Sequence, residues 1–176
     1  EGNNVRRSQE KLNQDFVINC SYDFLISFGY RHILSKDVVD YFSGRAINLH
    51  ISLLPWNKGA DPNLWSFLEK TPKGVTIHEI DYGLDTGRIL VQREMSFSNL
   101  HTLRTSYEEL HNKIVDVFIE TWPALATGLI KPRSQAEQGT FHLTKDKERY
   151  RSLLTNGWDT RISELQGKAI GNNIRG

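Results

Sequence analysis

Apolar residues recur along this chain with two different periods, and the switches between them mark out strands and helices. Residues 24–27 (FLIS) form a short aromatic and branched run between turn-formers, which reads as a buried strand. SKDVVDYF then follows helical spacing: Ser35 stands where a hydroxyl can cap, Asp37 lies in the first turn, and Gly44 supplies the stop. Residues 46–50 (AINLH) are a second short apolar run. After a loop with Pro55 and Gly59, a helix PNLWSFLEK is expected from Pro62, a residue favoured at the first helical position. Strands are expected at 75–80 (VTIHEI) and over 88–97 (RILVQREMSF), separated by the turn-rich DYGLDTG. Leu103, Tyr107, Leu110, Ile114, Val117, Phe118, Trp122 and Leu125 recur at spacings of three and four, giving a long helix one apolar face with which to cover a sheet. Beyond Gly128 the pattern weakens into GTFHL, a charged helical stretch KDKERYRSLL and a loose tail KAIGNNIRG. The first fifteen residues are polar and fit either loop or helix.

Alternating strands and helices predict an α/β fold, in which ligands sit outside the carboxyl ends of strands. Residues 1–128 are expected to form the main domain and residues 129–176 a short C-terminal extension. A chain of 176 residues buries a core without covalent staples. With 22 basic and 21 acidic residues and no dense Lys/Arg block, it lacks the electrostatic footprint of a nucleic-acid binder. Cys20 is the only cysteine, which excludes an internal disulfide framework and a Cys-rich metal site and fits a reducing compartment. No apolar run approaches the roughly 18 residues that span a bilayer, and EGNNVRRSQEKLNQ has no signal-peptide core. The expected location is the cytoplasm, with no membrane partner.

The candidate chemistry sits at the ends of two predicted strands. Residues two apart in a strand face the same way, so Asn48 and His50 share one side. An amide N–H can stabilise an oxyanion, and an imidazole can hold or deliver a proton near neutral pH. The same pair serves equally well to satisfy backbone groups at a strand end. Asp85, in GLDTG, is flanked by Gly83 and Gly87, which permit tight turns and close approach to a ligand. An aspartate there also suits a plain side-chain-to-backbone turn. His78 lies on a strand, where it either takes a direct part or braces the Asp85 loop. Trp65, at helical spacing with Leu64 and Leu68, reads as core.

The ordered set Asn48-Leu49-His50-Ile51-Ser52-Leu53-Leu54-Pro55, Gly59, Pro62, Gly74-Val75-Thr76-Ile77-His78 and Leu84-Asp85-Thr86-Gly87 resembles the formyltransferase domain family over residues 23–122. That family includes glycinamide ribonucleotide, methionyl-tRNA and sugar N-formyltransferases. The resemblance implies a Rossmann-like sheet with flanking helices, a catalytic trio of Asn48, His50 and Asp85, N10-formyltetrahydrofolate as co-substrate, and no metal. It implies that an amine attacks the formyl carbon, that Asn48 and a protonated His50 stabilise the oxyanion, and that Asp85 holds the imidazolium and helps move the proton. Phe28, Gly29, Tyr30, Ile33, Leu34, Ile80, Asp81 and Gly83 would line the folate site, largely through backbone groups. Apart from the resemblance, Trp56 and Lys58 stand in the loop after the catalytic strand, where the indole could line an acceptor pocket and the ammonium could meet a phosphate, although a lone loop lysine is usually only solvated.

PWNKGADPNLWSFLEKTPKGVTIH, TLRTSYEELHNKIV and the GWDT at 157–160 look closest to the sugar N-formyltransferases. That subgroup implies a dTDP-linked 4-amino-4,6-dideoxyhexose, or its 3-amino counterpart, as acceptor, in the service of O-antigen or related glycan synthesis. The extension after Gly128 would carry subgroup contacts or a homodimer surface. Only 22 residues precede Asp23, fewer than in most members, so either the sequence starts late or the expected sheet lacks its first strands and a glycine-rich phosphate loop. Arg88 stands where the family often has proline. Competing readings are an impaired remnant that binds folate or a partner chain without turnover, and a relative of the methionyl-tRNA or glycinamide ribonucleotide enzymes.

Overall fold

In a computed structural model, residues 3–169 are described. A four-stranded sheet runs in the order β1 (Leu25–Phe28), β2 (Ala46–His50), β4 (Lys73–Glu79), β5 (Ile89–Met95). Strands β1 and β2 are parallel, joined over α2 (Lys36–Phe42), whereas β4 runs antiparallel to both β2 and β5. The sheet is therefore mixed. Hydrophobic periodicity locates strands but carries no information on their direction. A second, two-stranded parallel ladder joins β3 (Lys58–Gly59) to β6 (Phe141–His142).

Alternation along β2 decides the layers. Ile47 and Leu49 face α4 (Leu103–Ala126), forming a core with Val75, Ile77, Val91, Leu110, Ile114 and Val117. Ala46 points the other way, into a cluster with Val17 of α1 (Gln14–Cys20) and Val38 and Phe42 of α2. Asn48 and His50 continue on the Ala46 side, so they emerge on the sheet face opposite α4. The long helix begins in a reciprocal cap: Thr102 Oγ1 accepts from Thr105 N and Thr105 Oγ1 from Thr102 N. A third cluster joins α3 (Pro62–Leu68), the start of α4, Tyr150 from a 3₁₀ helix (Thr144–Leu153), and α5 (Ile162–Leu165).

Helix α3 begins at Pro62 as expected, and Trp65 is core. The Ser35 hydroxyl makes no capping bond; the Ser35 backbone carbonyl instead accepts from Val38 and Val39. The expected charged helix is a 3₁₀ helix over Thr144–Leu153, a tighter coil in which side chains three apart eclipse. Residues 170–176 of the expected tail lie outside the described residues. Among the described residues no helix is long and apolar enough to cross a membrane.

Candidate active site

Asn48 sits at the centre of a polar patch on the sheet face away from α4. Register places His78 directly opposite Asn48, and Thr76 opposite both His50 and Gln92. The loop between β4 and β5 closes this patch. Because β4 is antiparallel to β2, that loop starts at the opposite end of the sheet from His50, so it reaches the site by folding back across the face. Tyr82 fixes its path: the phenol hydrogen-bonds to Asp40 on α2, and Lys36 lies over the ring at 5.2 Å.

The fold-back brings Asp85 onto Asn48 and His50. Asn48 Nδ2 donates to Asp85 Oδ1 at 3.1 Å, and the Gly59 amide donates to Oδ2 at 2.8 Å. His50 Nε2 lies 3.8 Å from Oδ2, and His78 Nε2 lies 3.5 Å from Oδ1. Asp85 itself takes the left-handed backbone conformation, φ 55°, which is costly for a residue with a side chain and accumulates at functional sites. Gly83 and Gly87 serve close approach instead: a Cβ on Gly87 would stand 1.7 Å from the Glu79 carbonyl oxygen, and one on Gly83 2.0 Å from Thr86 Oγ1.

Proton positions follow from the partners. His78 Nδ1 lies 2.7 Å from the Glu79 carbonyl oxygen, which only accepts, so Nδ1 carries a proton, while Nε2 lies between Asn48 Nδ2 at 3.3 Å and Asp85 Oδ1 at 3.5 Å. By the same logic His50 Nε2 donates to the Asn57 carbonyl at 3.3 Å. Burial lowers the His50 imidazole below its ordinary value, outweighing the upward pull of Asp85, with His78 adding to the fall. The resting imidazole is therefore neutral at pH 7, whereas the protonated His50 implied by the resemblance belongs to the reaction. Burial alone would raise the Asp85 carboxyl, but His50, His78 and the Gly59 amide together hold it well below the usual carboxylate range. The site thus rests as a carboxylate beside a neutral imidazole.

The residues expected to line a folate site divide by where their side chains go. Phe28 faces the α4 side, with its ring 4.5 Å from His111, so alternation along β1 carries it away from Asn48 and leaves only its backbone for the site. Leu34 and Ile80 pack into the α1–α2 cluster. The Tyr30 hydroxyl donates to Glu10 O and accepts from Leu12 N, tying down the N-terminal stretch. Asp81 accepts from Gly83 N and Thr86 Oγ1 within its own loop. Gly29 turns with φ 62° at the end of β1, and Ile33 stands free beyond it. Trp56 and Lys58 are half-buried between β2 and α3, the Lys58 amide donating to Thr140 O. Arg88 forks onto Glu79 at 2.5 and 2.9 Å.

Three contributors were not singled out from the sequence. Gly59 supplies the amide on Asp85 Oδ2; Asn57 accepts from His50; and Gln135 Nε2 donates to the carbonyls of Asp85 and Gly87. Gly59 stood in the motif, where its backbone role leaves no side-chain signature. Gln135 lies 50 residues downstream of Asp85, with no local pattern to announce it. Among the described residues no group of three or more His, Cys, Asp or Glu side chains is placed to hold a metal ion.

The family model described as Formyl transferase matches residues 2–122. The chain belongs to the formyltransferase family. This formyltransferase chain shares 55% identity and a TM-score of 0.91 with the formyltransferase PseJ from Anoxybacillus kamchatkensis, over 94% of this chain and 88% of that one. PseJ was crystallised with UDP-4,6-dideoxy-4-formamido-L-AltNAc and tetrahydrofolate. A methionyl-tRNA formyltransferase of Thermodesulfovibrio yellowstonii is 35% identical over 78% of this chain and 47% of its own length. The dTDP-4-amino-4,6-dideoxyglucose formyltransferase of Mycobacterium bovis is 32% identical over 77% and 57%. The formyltransferase chain thus spans about half the length of these curated relatives.

Proposed function

We propose that the chain transfers a formyl group from N10-formyltetrahydrofolate to the 4-amino group of a nucleotide-linked 4-amino-4,6-dideoxy sugar. The observation that carries this reading is the convergence of Asn48, His50 and Asp85, brought from β2 and a separate loop onto one spot. The 55% identity to PseJ favours UDP over dTDP as the nucleotide. The product would serve as a donor for O-antigen or a related glycan.

The loops beside the trio fit a flat folate ring. Ile33, on the loop between β1 and α2, is 81% exposed, and Tyr82 and Leu84, on the loop between β4 and β5, are 65 and 45% exposed. Unburied apolar side chains grouped on site loops suit an aromatic ligand that would cover them. Backbone groups of Gly29, Asp81 and Gly83 would hold its polar edge, and the Lys58 ammonium would meet a phosphate of the acceptor.

N10-formyltetrahydrofolate, when bound, supplies an electrophilic formyl carbon. Asn48 then acts as oxyanion donor: its 3.3 Å contact with His78 is the weaker of its two, and exchanging it frees one N–H while the bond to Asp85 keeps the amide oriented. His50, neutral at rest, takes the proton of the attacking amine at Nδ1, since Nε2–H is committed to Asn57 O. Asp85, ionised 3.8 Å away, stabilises the imidazolium so formed, which would hand its proton to the folate nitrogen as that nitrogen's bond to the formyl carbon breaks and tetrahydrofolate leaves. His78 braces Asn48 and Asp85.

The test is mass spectrometry of UDP- and dTDP-linked 3-amino and 4-amino sugars after incubation with the protein and N10-formyltetrahydrofolate, with methionyl-tRNA in the same panel. A formylated UDP-4-amino sugar is expected, abolished by Asp85→Ala and slowed by about 10²–10³-fold in Asn48→Ala with folate binding kept. Formylation of methionyl-tRNA alone, or of no acceptor while folate binds, would overturn the reading.

A further inference from the structure

Beyond residue 122, where the family match ends, the chain returns to hold the loop that carries Asp85. After α4 it crosses the start of β5, where Ile89 and Arg133 exchange backbone hydrogen bonds of 2.8 and 2.9 Å. Two residues on, Gln135 Nε2 donates to the carbonyl oxygens of Asp85 and Gly87, each at 2.8 Å. A side-chain amide has two protons, so both are spent on the carbonyls either side of Thr86. The strap continues past Gly139, where a Cβ would stand 2.3 Å from the Pro55 carbonyl oxygen, to Thr140, whose hydroxyl accepts from the Asn57 amide at 2.8 Å. It ends in β6, which pairs with β3 and so sets the Gly59 amide on Asp85 Oδ2.

The loop depends on this outside support. Asp85 sits at φ 55°, and within the loop only the Asp81 carboxylate ties turns together, through Gly83 N and Thr86 Oγ1. Gln135 pins the Asp85 peptide itself. Its own Oε1 is buried without a hydrogen-bond partner among the described residues, a cost that an apolar side chain would avoid. The two donated bonds are what offset that cost.

We propose that Gln135 is a positioning residue for formyl transfer, which aims the Asp85 carboxylate at His50 and Asn48 by fixing the carbonyls of Asp85 and Gly87. This rests on the activity proposed above. Gln135 touches neither acceptor nor folate in this role; it acts through Asp85 alone.

Two variants test it. Gln135→Ala is expected to lower kcat about 10-fold or more, the scale of a small misplacement of a catalytic group, while KM for the amino sugar and the thermal midpoint stay close to wild type. Gln135→Glu keeps the shape, but its carboxylate has no proton to donate at neutral pH; protonation restores one donor. Its activity relative to wild type should therefore climb as pH falls, a trend that simple loss of packing would not produce. Wild-type kcat in Gln135→Ala, or a Gln135→Glu to wild-type ratio that is constant with pH, would overturn the proposal; if the alanine variant fails to fold, the glutamate ratio decides. A readout independent of turnover separates this from failure of the activity itself: the amide NMR signal of Gly59, which donates to Asp85 Oδ2, should move in Gln135→Ala, and an unmoved signal would also overturn the role.

Discussion

Asn48 hydrogen-bonds to both His78 and Asp85, and His50 stands 3.8 Å from the Asp85 carboxylate, so each side chain bears on the state of the next. The sequence made Asn48 and His50 legible, because two residues apart on a strand is a geometric statement. It also offered Asp85, through its flanking glycines. Protonation was not legible, since it depends on burial by distant segments. That burial has a measurable consequence. His50 is held below its ordinary value of 6.5, so as pH falls below that value the unfolded chain takes up a proton that the folded imidazole refuses, and stability declines. Asp85 works in a lower window: its contribution is present above the ordinary carboxyl value of 3.8 and is lost as pH falls towards its depressed folded value. The thermal midpoint of the wild type should therefore drop between about pH 6.5 and pH 5, and that of His50→Gln should drop less over the same range. Parallel declines in the two proteins would show that His50 does not rest neutral and buried.

At the scale of elements, strands and helices were readable where one face of each is apolar. The expected run at 46–50 coincides with β2, and the stripe from Leu103 to Leu125 lies along α4. Strand direction escaped the pattern, as did the two-residue ladder of β3 and β6, which is too short for a period to register. Those two features place the Asp85 loop: antiparallel β4 launches it from the far end of the sheet, and β3 meets it with the Gly59 amide. The fold-back turns on Gly87, whose missing Cβ leaves room for the Glu79 carbonyl, which a methyl would approach to 1.7 Å. Gly87→Ala must push the loop outward. Its kcat is expected to fall about 10²-fold through displacement of Asp85, with far-UV circular dichroism unchanged. A variant with wild-type kcat would mean that the loop absorbs the methyl without moving the carboxylate.

For the whole molecule, the sequence divided at Gly128, where amphipathic periodicity fades. Fading periodicity signals short elements, not absence of packing. Tyr150, Ile162 and Leu165 are buried against Leu64, Phe67 and Leu68 of α3 and Leu103 of α4, and Phe97 packs against both this cluster and the core between sheet and α4. Backbone bonds join the same parts: Leu103 N to Thr160 O at 3.1 Å, and Ile162 N to His101 O at 3.0 Å. Two clusters sharing a side chain and a helix should melt together. Ile162, wholly buried, tests this, because its truncation opens a cavity at the far end of the chain from the sheet. Ile162→Ala is expected to cost about 2–5 kcal/mol in urea denaturation. Ellipticity and tryptophan fluorescence should still change at one shared midpoint, since Trp122 reports the sheet–α4 core and Trp65 the terminal cluster. Separate midpoints would show that the terminal cluster unfolds on its own, and the strap carrying Gln135 would then owe its hold on Asp85 to local hydrogen bonds alone.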